Sequence, residues 1–189
     1  MRELSLNILD ITQNSIKAQA TEISITVNET PDILSFEIKD NGCGMTKEFL
    51  ADVTNPFTTT RTTRKVGLGL PLLKMEAEMT GGSFSVKSRS EKEYEDHGTE
   101  VFASFNKNSI DYIPLGDIKG TVTALIQGID GKTDITFVHR LPGGDVELST
   151  AEMRAMLGED VPLGCSEVIS WVREYLDEAY GEIDQNKKI

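Results

Sequence analysis

The chain has 189 residues, which is enough for one well-packed domain or for one domain with a compact extension. Its formal net charge of -12 at pH 7 disfavours binding to nucleic acid across a broad surface, and no apolar run approaches the roughly eighteen residues that span a membrane. The two cysteines, Cys43 and Cys165, lack metal-ligand spacing and no signal-peptide pattern opens the chain, so we expect a cytoplasmic protein.

The first predicted element is a helix that carries an acid and an amide on one side. Its apolar face is formed by residues at helical spacing, namely Leu4, Ile8, Ile11 and Ala18. Asp10 and Asn14 are four residues apart, so both project from the same side. Asn14 can ligate a hydrated metal, Asp10 can orient or deprotonate water, and Lys17 can approach the phosphates of the same ligand. The alternative for Asp10 is a surface carboxylate that makes a local pair.

A predicted strand at residues 33–39 ends in an acid and a pair of glycines: Asp40, Gly42 and Gly44. Glycine permits a positive φ and lets the backbone approach a ligand closely. A carboxylate at the end of a strand can accept a hydrogen bond from an exocyclic amine such as that of adenine. The pattern suits a site for a small planar ligand, although a tight turn alone would use the same residue types.

A glycine-rich loop then leads into a second predicted helix, which runs to about Thr80. Such a loop presents backbone N–H groups and a positive helix end to phosphates; its residues are Gly67, Leu68, Gly69 and Leu70. Arg61 and Lys65 precede it, and basic side chains there would screen a polyphosphate. A solvated basic loop is the alternative. Gly98 and Thr99 begin a closing strand.

Taken in order, these segments resemble the GHKL superfamily, the ATP-binding fold shared by gyrase, heat-shock chaperones, histidine kinases and mismatch-repair ATPases. Residues 10–17 resemble its N-box, residues 40–44 its G1 box, residues 67–70 its G2 box, and residues 98–99 its last Gly-Thr motif. Residues 55–61 resemble the F-box before the lid of bacterial histidine kinases. The N-box, the F-box and the short lid are most similar to the histidine kinase branch.

The resemblance implies an α+β fold of the Bergerat type, a two-layer α/β sandwich with helices on one face of a mixed sheet. It also implies a site for ATP and Mg²⁺. Asp40 and Thr99 would bind the adenine amine, Gly42 and Gly44 would shape the adenine pocket, and Asn14 would hold Mg²⁺. Further nucleotide contacts would come from Lys17, Arg61, Lys65, Gly67, Leu68, Gly69 and Leu70. Asp10 is the candidate catalytic residue.

Two departures from the family's pattern bear on the reaction. Asp10 stands where chaperones and mismatch-repair members place glutamate, and its shorter side chain changes where a water can sit relative to the γ-phosphate. The N-box begins about ten residues from the first residue, so we expect no phosphoacceptor hairpin before it. Neither His97 nor His139 lies on an amphipathic hairpin, so any phosphate acceptor is expected in another protein.

From about Asn106 onwards the resemblance stops, and we divide the chain into an ATP-binding domain at residues 1–106 and a small α+β unit of unknown role at residues 107–189. The second unit is predicted to contain a helix at residues 122–127 and a hairpin that pairs residues 135–138 with 146–148. A short helix capped by Ser149 and a last helix from Ser166 to about Gly181 follow. Trp171 and Tyr175 could anchor a partner, although an apolar helical stripe is more often core.

Three functions are compatible with the sequence. The first is a kinase or ATP-dependent regulator that acts on a partner protein in trans. The second is an ATP-hydrolysing switch, in which Asp10 activates water and closure drives dimerisation or partner binding. The third is a nucleotide sensor without turnover. None of the three involves nucleic acid or a membrane, and a homodimer is possible.

Overall fold

The computed structural model describes residues 3–53, 69–158 and 161–186. Its helices, in chain order, are α1 (Leu4–Lys17), α2 (Lys47–Val53), α3 (Gly69–Met79), α4 (Ile118–Gly128), α5 (Thr150–Leu157) and α6 (Ser166–Asn186). Its strands are β1 (Glu22–Glu29), β2 (Ile33–Asp40), β3 (Phe84–Arg89), β4 (Gly98–Asn106), β5 (Asp134–Leu141) and β6 (Gly144–Ser149). Within these residues, no helix combines the length and the hydrophobicity that a bilayer crossing needs.

The six strands form one mixed sheet with the order β3-β4-β2-β1-β5-β6. Three antiparallel hairpins (β1–β2, β3–β4 and β5–β6) supply most of the sheet, and β2 also pairs antiparallel with β4. The only parallel pairing among the described strands joins β1 to β5, with Ile25 opposite Phe137. Parallel strands need a long crossover connection, and the chain between β1 and β5 provides it.

Burial alternates along the strands, as expected for a sheet with one covered face. In β2, Leu34, Phe36 and Ile38 are buried, whereas Glu37 and Lys39 lie on the opposite face and pair with each other at 2.9 Å. Helices α1, α3, α4 and α6 contribute further core residues above the buried face, and Met153 of α5 and Leu163 join them. The predicted two-layer α/β sandwich with helices on one face is therefore confirmed.

The sheet and the core both cross the boundary that the sequence predicts at residue 106. Strand β5 lies directly beside β1, α4 packs on α1, and α6 packs on α4. Phe36 and Phe105 stack with ring centroids 6.0 Å apart, and Phe137 belongs to the same buried cluster. Strands from both halves of the chain therefore share one hydrophobic core.

The predicted hairpin and helices of the second half are present, but two helices are longer than predicted. The helix expected at residues 122–127 is α4, which starts at Ile118. Ser149 caps α5 by accepting a hydrogen bond from the backbone N–H of Glu152, as predicted. The predicted end of α6 at Gly181 is wrong, because the helix continues to Asn186. Burial of Ile183 beside Gly144 holds the additional turn against β6, and this tertiary contact outweighs the weak helix propensity of Gly181.

Candidate functional site

The centre of the site is the carboxylate of Asp40, which lies at the end of β2. Its Oδ1 accepts hydrogen bonds from the backbone N–H groups of Gly42 at 2.9 Å and of Thr99 at 3.2 Å. Its Oδ2 accepts one from the Ser15 hydroxyl on α1 at 2.6 Å. Each carboxylate oxygen has two lone pairs, so Oδ2 retains one acceptor position for a ligand donor.

A cavity of about 300 Å³ opens at this carboxylate. Six of the residues predicted from the sequence line it, namely Asn14, Asp40, Gly44, Gly69, Leu70 and Thr99. Its apolar wall includes Ile11, Phe49, Val53 and Val101. A largely apolar cavity with one fixed carboxylate acceptor suits a flat heterocycle that carries an amine.

Gly44 shapes the wall of this cavity through its backbone conformation. Its φ is +62°, a conformation that side-chain-bearing residues rarely adopt, and a Cβ there would overlap the backbone carbonyl of Arg89. Gly42 is buried beneath the turn, where its N–H donates to Asp40. Gly44 lines the cavity, whereas Gly42 lies outside its lining, and the roles of both glycines towards a nucleotide stay predictions.

The first residue of α3 brings a helix N-terminus to Asp10. A Cβ on Gly69 would overlap the Asp10 carboxylate, so a larger residue there would displace that side chain. The positive end of α3 therefore lies beside a negative side chain, a favourable arrangement. A second contact joins the same helices, since the Asn7 amide on α1 donates to Glu76 on α3 at 2.9 Å.

Asp10, Asn14 and Lys17 share helix α1, but they differ in their relation to the cavity. Asn14 is exposed and lines it, while Asp10 is half-buried at its α3 end and outside the lining. Lys17 is exposed in the last turn of α1, also outside the lining. The described residues contain no group of three or more His, Cys, Asp and Glu side chains that could hold a metal on their own.

Several of the predicted contacts lie outside the described residues. They are Arg61, Lys65, Gly67 and Leu68, together with the F-box-like segment at residues 55–61. Their assignment to the nucleotide stays a prediction.

Three residues of this region were missed by the sequence interpretation. The first is Ser15, which donates to Asp40. The second is Ser88, whose hydroxyl accepts from the N–H of Met45 at 2.8 Å and lies 2.9 Å from the Thr99 hydroxyl. The third is His97, whose Nδ1 lies 2.6 Å from the carbonyl of Gly42. Ser15 adjoins Asn14 in the chain and could have been found from its helical position. Ser88 and His97 reach the turn after β2 only through the pairing of β3 with β4 and of β4 with β2.

The two histidines both have structural partners. His97 bonds the turn after β2, as just described. His139 is buried on β5, with Nδ1 2.8 Å from the Tyr180 hydroxyl and Nε2 3.5 Å from Glu29. The close approach of His139, together with the hydrogen bond that Lys107 donates to Glu29 at 2.8 Å, lowers the pKa of Glu29 to about 2. Burial raises the pKa of Tyr180.

A second concavity, of about 390 Å³, lies on the uncovered face of the sheet. Its charged lining residues are Glu22, Lys39, Asp40 and Asp134, so Asp40 borders both cavities. Three acids against one base make it a poor receptor for a polyphosphate, which carries several negative charges. The first cavity is therefore the better candidate.

Comparison with known proteins agrees with this fold. A family model described as histidine kinase-, DNA gyrase B-, and HSP90-like ATPase matches residues 2–109, more than half of the chain. The chain belongs to this family of ATPase domains, and the resemblance to the GHKL superfamily is confirmed.

Individual relatives cover different parts of the chain. The sensor histidine kinase YvrG of Bacillus subtilis (strain 168) is 31% identical over 83 residues, which are 41% of this chain and 14% of that protein. The Aquifex aeolicus MutL ATPase domain complexed with ADP has a TM-score of 0.55 at 14% identity, over 84% of this chain and 68% of that chain. The Francisella tularensis topoisomerase IV ATP-binding domain has a TM-score of 0.50 at 17% identity, over 78% of this chain and 87% of that chain. The chain thus spans only a small part of its curated relative, and the two structures indicate a shared fold.

Proposed function

We propose that the chain binds Mg²⁺·ATP and acts as a histidine kinase-like enzyme or ATP-dependent regulator on a separate protein. The observation that carries the nucleotide assignment is the free acceptor position of Asp40 Oδ2 at the wall of the cavity. An adenine amine would donate to this position, and the apolar wall would cover the ring faces. The similarity to a sensor histidine kinase favours the kinase branch.

Asn14 fits the role of a single metal ligand. Its amide is exposed at the cavity, on the same side of α1 as Asp10 and one turn further along. Magnesium at nucleotide sites takes few protein ligands and completes its shell with phosphate oxygens and water. When bound, Mg²⁺ would neutralise phosphate charge; the chain's own contribution is to orient it through Asn14.

Asp10 is the candidate for handling a proton or a hydroxyl. Its carboxylate lies against Gly69 at the first turn of α3, the helix end to which phosphates are attracted. A carboxylate beside a phosphate site can accept the proton of an incoming hydroxyl, whether that hydroxyl is water or a protein side chain. This placement also favours the second candidate function, an ATP-hydrolysing switch.

Three readouts separate these functions: binding of Mg²⁺·ATP by calorimetry, release of phosphate from γ-labelled ATP, and transfer of label to proteins of the same cells. We expect Asp40→Asn to abolish binding, because an amide presents a donor where the ring amine needs an acceptor. Asp10→Asn should preserve binding and remove release or transfer. Asp145→Asn, an exposed acid on β6, is the matched control and should change none of the three.

The outcomes are distinct. Transfer lost in Asp10→Asn supports the kinase, and release without transfer supports the switch. Binding of Mg²⁺·ATP without phosphate release or label transfer supports a sensor. In a sensor, Asp40→Asn should abolish partner binding and Asp10→Asn should leave it intact. No binding by the unmodified chain would contradict the proposal.

A further inference from the structure

An exposed apolar groove lies between α5 and α6. Its lining side chains are Met153, Met156, Leu157, Val168 and Trp171, with Glu167 at the edge, and they enclose about 280 Å³. Met156 is 74% exposed, Trp171 48% and Leu157 43%. Large side chains rarely remain this open next to one another on a monomeric surface unless something binds there.

The groove has a fixed aromatic platform. The rings of Trp171 and Tyr175 stack with centroids 5.4 Å apart, and the Tyr175 hydroxyl donates to the carbonyl of Glu147 on β6 at 2.8 Å. The Tyr175 ring is therefore held against the sheet and supports Trp171 from one side. A rigid aromatic residue beside flexible methionines is typical of surfaces that receive apolar side chains of a partner.

The rim of the groove is acidic. Glu174 and Glu178 lie three and seven residues after Trp171, so with Glu167 they share its exposed side of α6. Glu152 lies one turn before Met156 on α5. Nearby bases have other partners or positions. Arg154 bonds Asp134 at 3.1 Å, Lys119 pairs with Asp177, and Arg173 is two residues from Trp171, on another side of α6.

We propose that this α5/α6 groove binds a basic amphipathic helix of a partner protein. Apolar residues of the helix would fill the space between Met156 and Trp171, and its lysines or arginines would face the four glutamates of the rim. A second copy of the chain would bring an acidic rim against an acidic rim, and an anionic membrane would be repelled in the same way. The proposal does not depend on nucleotide chemistry.

Trp171 is the single tryptophan of the chain, so its fluorescence reports directly on the groove. The probe is a synthetic amphipathic peptide of leucine and lysine, about four helical turns long, titrated without nucleotide. We expect a saturable blue shift of the emission, and an affinity that falls several-fold as salt rises from about 50 mM to about 500 mM. A leucine–glutamate peptide of the same pattern should cause no shift.

Two methionine variants provide the matched test. Met156→Ser should weaken peptide binding by about tenfold, the change expected for losing the burial of one large apolar side chain. Met79→Ser, at a methionine 55% exposed on α3, should bind as the unmodified chain does. Because both side chains are largely exposed, neither substitution should alter the fold.

Three results would overturn the proposal. The first is equal binding by Met156→Ser. The second is a shift of the Trp171 emission that depends only on protein concentration, together with a dimer in sedimentation that dissociates in Met156→Ser. That result would assign the groove to a second copy of the chain. The third is a shift with phosphatidylglycerol vesicles but none with the leucine–lysine peptide, which would assign it to a membrane surface.

Discussion

Ser15 shows at the scale of one residue how the site holds its central carboxylate. Replacing it by alanine removes the 2.6 Å hydrogen bond to Asp40 and leaves the helix intact, since alanine is a strong helix former. We expect affinity for Mg²⁺·ATP to fall by about tenfold, or about 1.4 kcal/mol, as for a hydrogen bond to a charged group. Calorimetry measures this, and Ser24→Ala on the exposed face of β1 is the control. Unchanged affinity in Ser15→Ala would mean that Asp40 needs no such support.

Glu29 makes the stability of the folded chain depend on pH in the acidic range. The nearby His139, 3.5 Å away, and the hydrogen bond from Lys107 at 2.8 Å lower its pKa from 4.5 to about 2 in the folded state. A lowered folded-state pKa contributes stability that is complete above about pH 4.5 and is lost as pH falls towards 2. The contribution is on the order of 2 kcal/mol, because the carboxylate is only partly buried.

Urea unfolding at pH 6.5 and pH 3 isolates this contribution. In Glu29→Gln, the decrease in unfolding free energy between the two pH values should be smaller than in the unmodified chain. Glu22→Gln changes an exposed acid of the same strand and should keep the full decrease. If the Glu29 and Glu22 variants lose stability equally on acidification, the His139 and Lys107 contacts do not stabilise the charged form of Glu29.

At the scale of elements, the short helix α5 depends on its cap and supplies one wall of the groove. Ser149→Ala removes the acceptor for the Glu152 N–H, which should cost about 1 kcal/mol of unfolding free energy. Fraying of α5 should also weaken binding of the leucine–lysine peptide, because Met153 and Met156 of the groove lie on α5. Ser170→Ala, at an exposed position in the second turn of α6, controls for the loss of a hydroxyl. Full peptide affinity in Ser149→Ala would show that the first turn of α5 does not position the groove.

The elements that the sequence predicts well are those encoded by neighbouring residues. The apolar spacing in α1, the turn after β2 and the Ser149 cap each depend on residues within a few positions of one another, so propensity and hydrogen bonding reveal them directly. Strand β1 has the same kind of pattern, with Ile23, Ile25 and Val27 alternating, and it could have been recognised.

Contacts between distant segments were beyond such reasoning. The bond of His97 to Gly42 joins residues 55 positions apart, and β1 pairs with β5 across more than a hundred. Nothing in the local sequence distinguishes these partners from others of equal hydrophobicity, because register depends on which faces the complete core buries. Local spacing correctly placed Asp10 and Asn14 on one helix. The approach of Gly69 to Asp10 could not be predicted, because it joins segments that are distant in the sequence.

At the scale of the whole molecule, one core connects the nucleotide cavity to the α5/α6 groove. Helix α1 carries Asp10 and Asn14 and packs on α4, and α4 packs on α6, where Trp171 lies. The central pairing of β1 with β5 joins the same two regions within the sheet. Since neither region can lose its core contacts without exposing the other, we expect both to unfold in a single transition.

Ile38→Ala tests this cooperativity. Ile38 is fully buried on β2, and its truncation should cost about 2–5 kcal/mol. Trp171 fluorescence, which reports from α6, should then shift its urea midpoint as much as far-UV circular dichroism does. Ile110→Ala, at a side chain 99% exposed, should shift neither. If the urea midpoint measured by Trp171 fluorescence stays unchanged while the midpoint measured by circular dichroism shifts, residues 107–189 fold independently. The nucleotide cavity and the groove would then have no common structural basis.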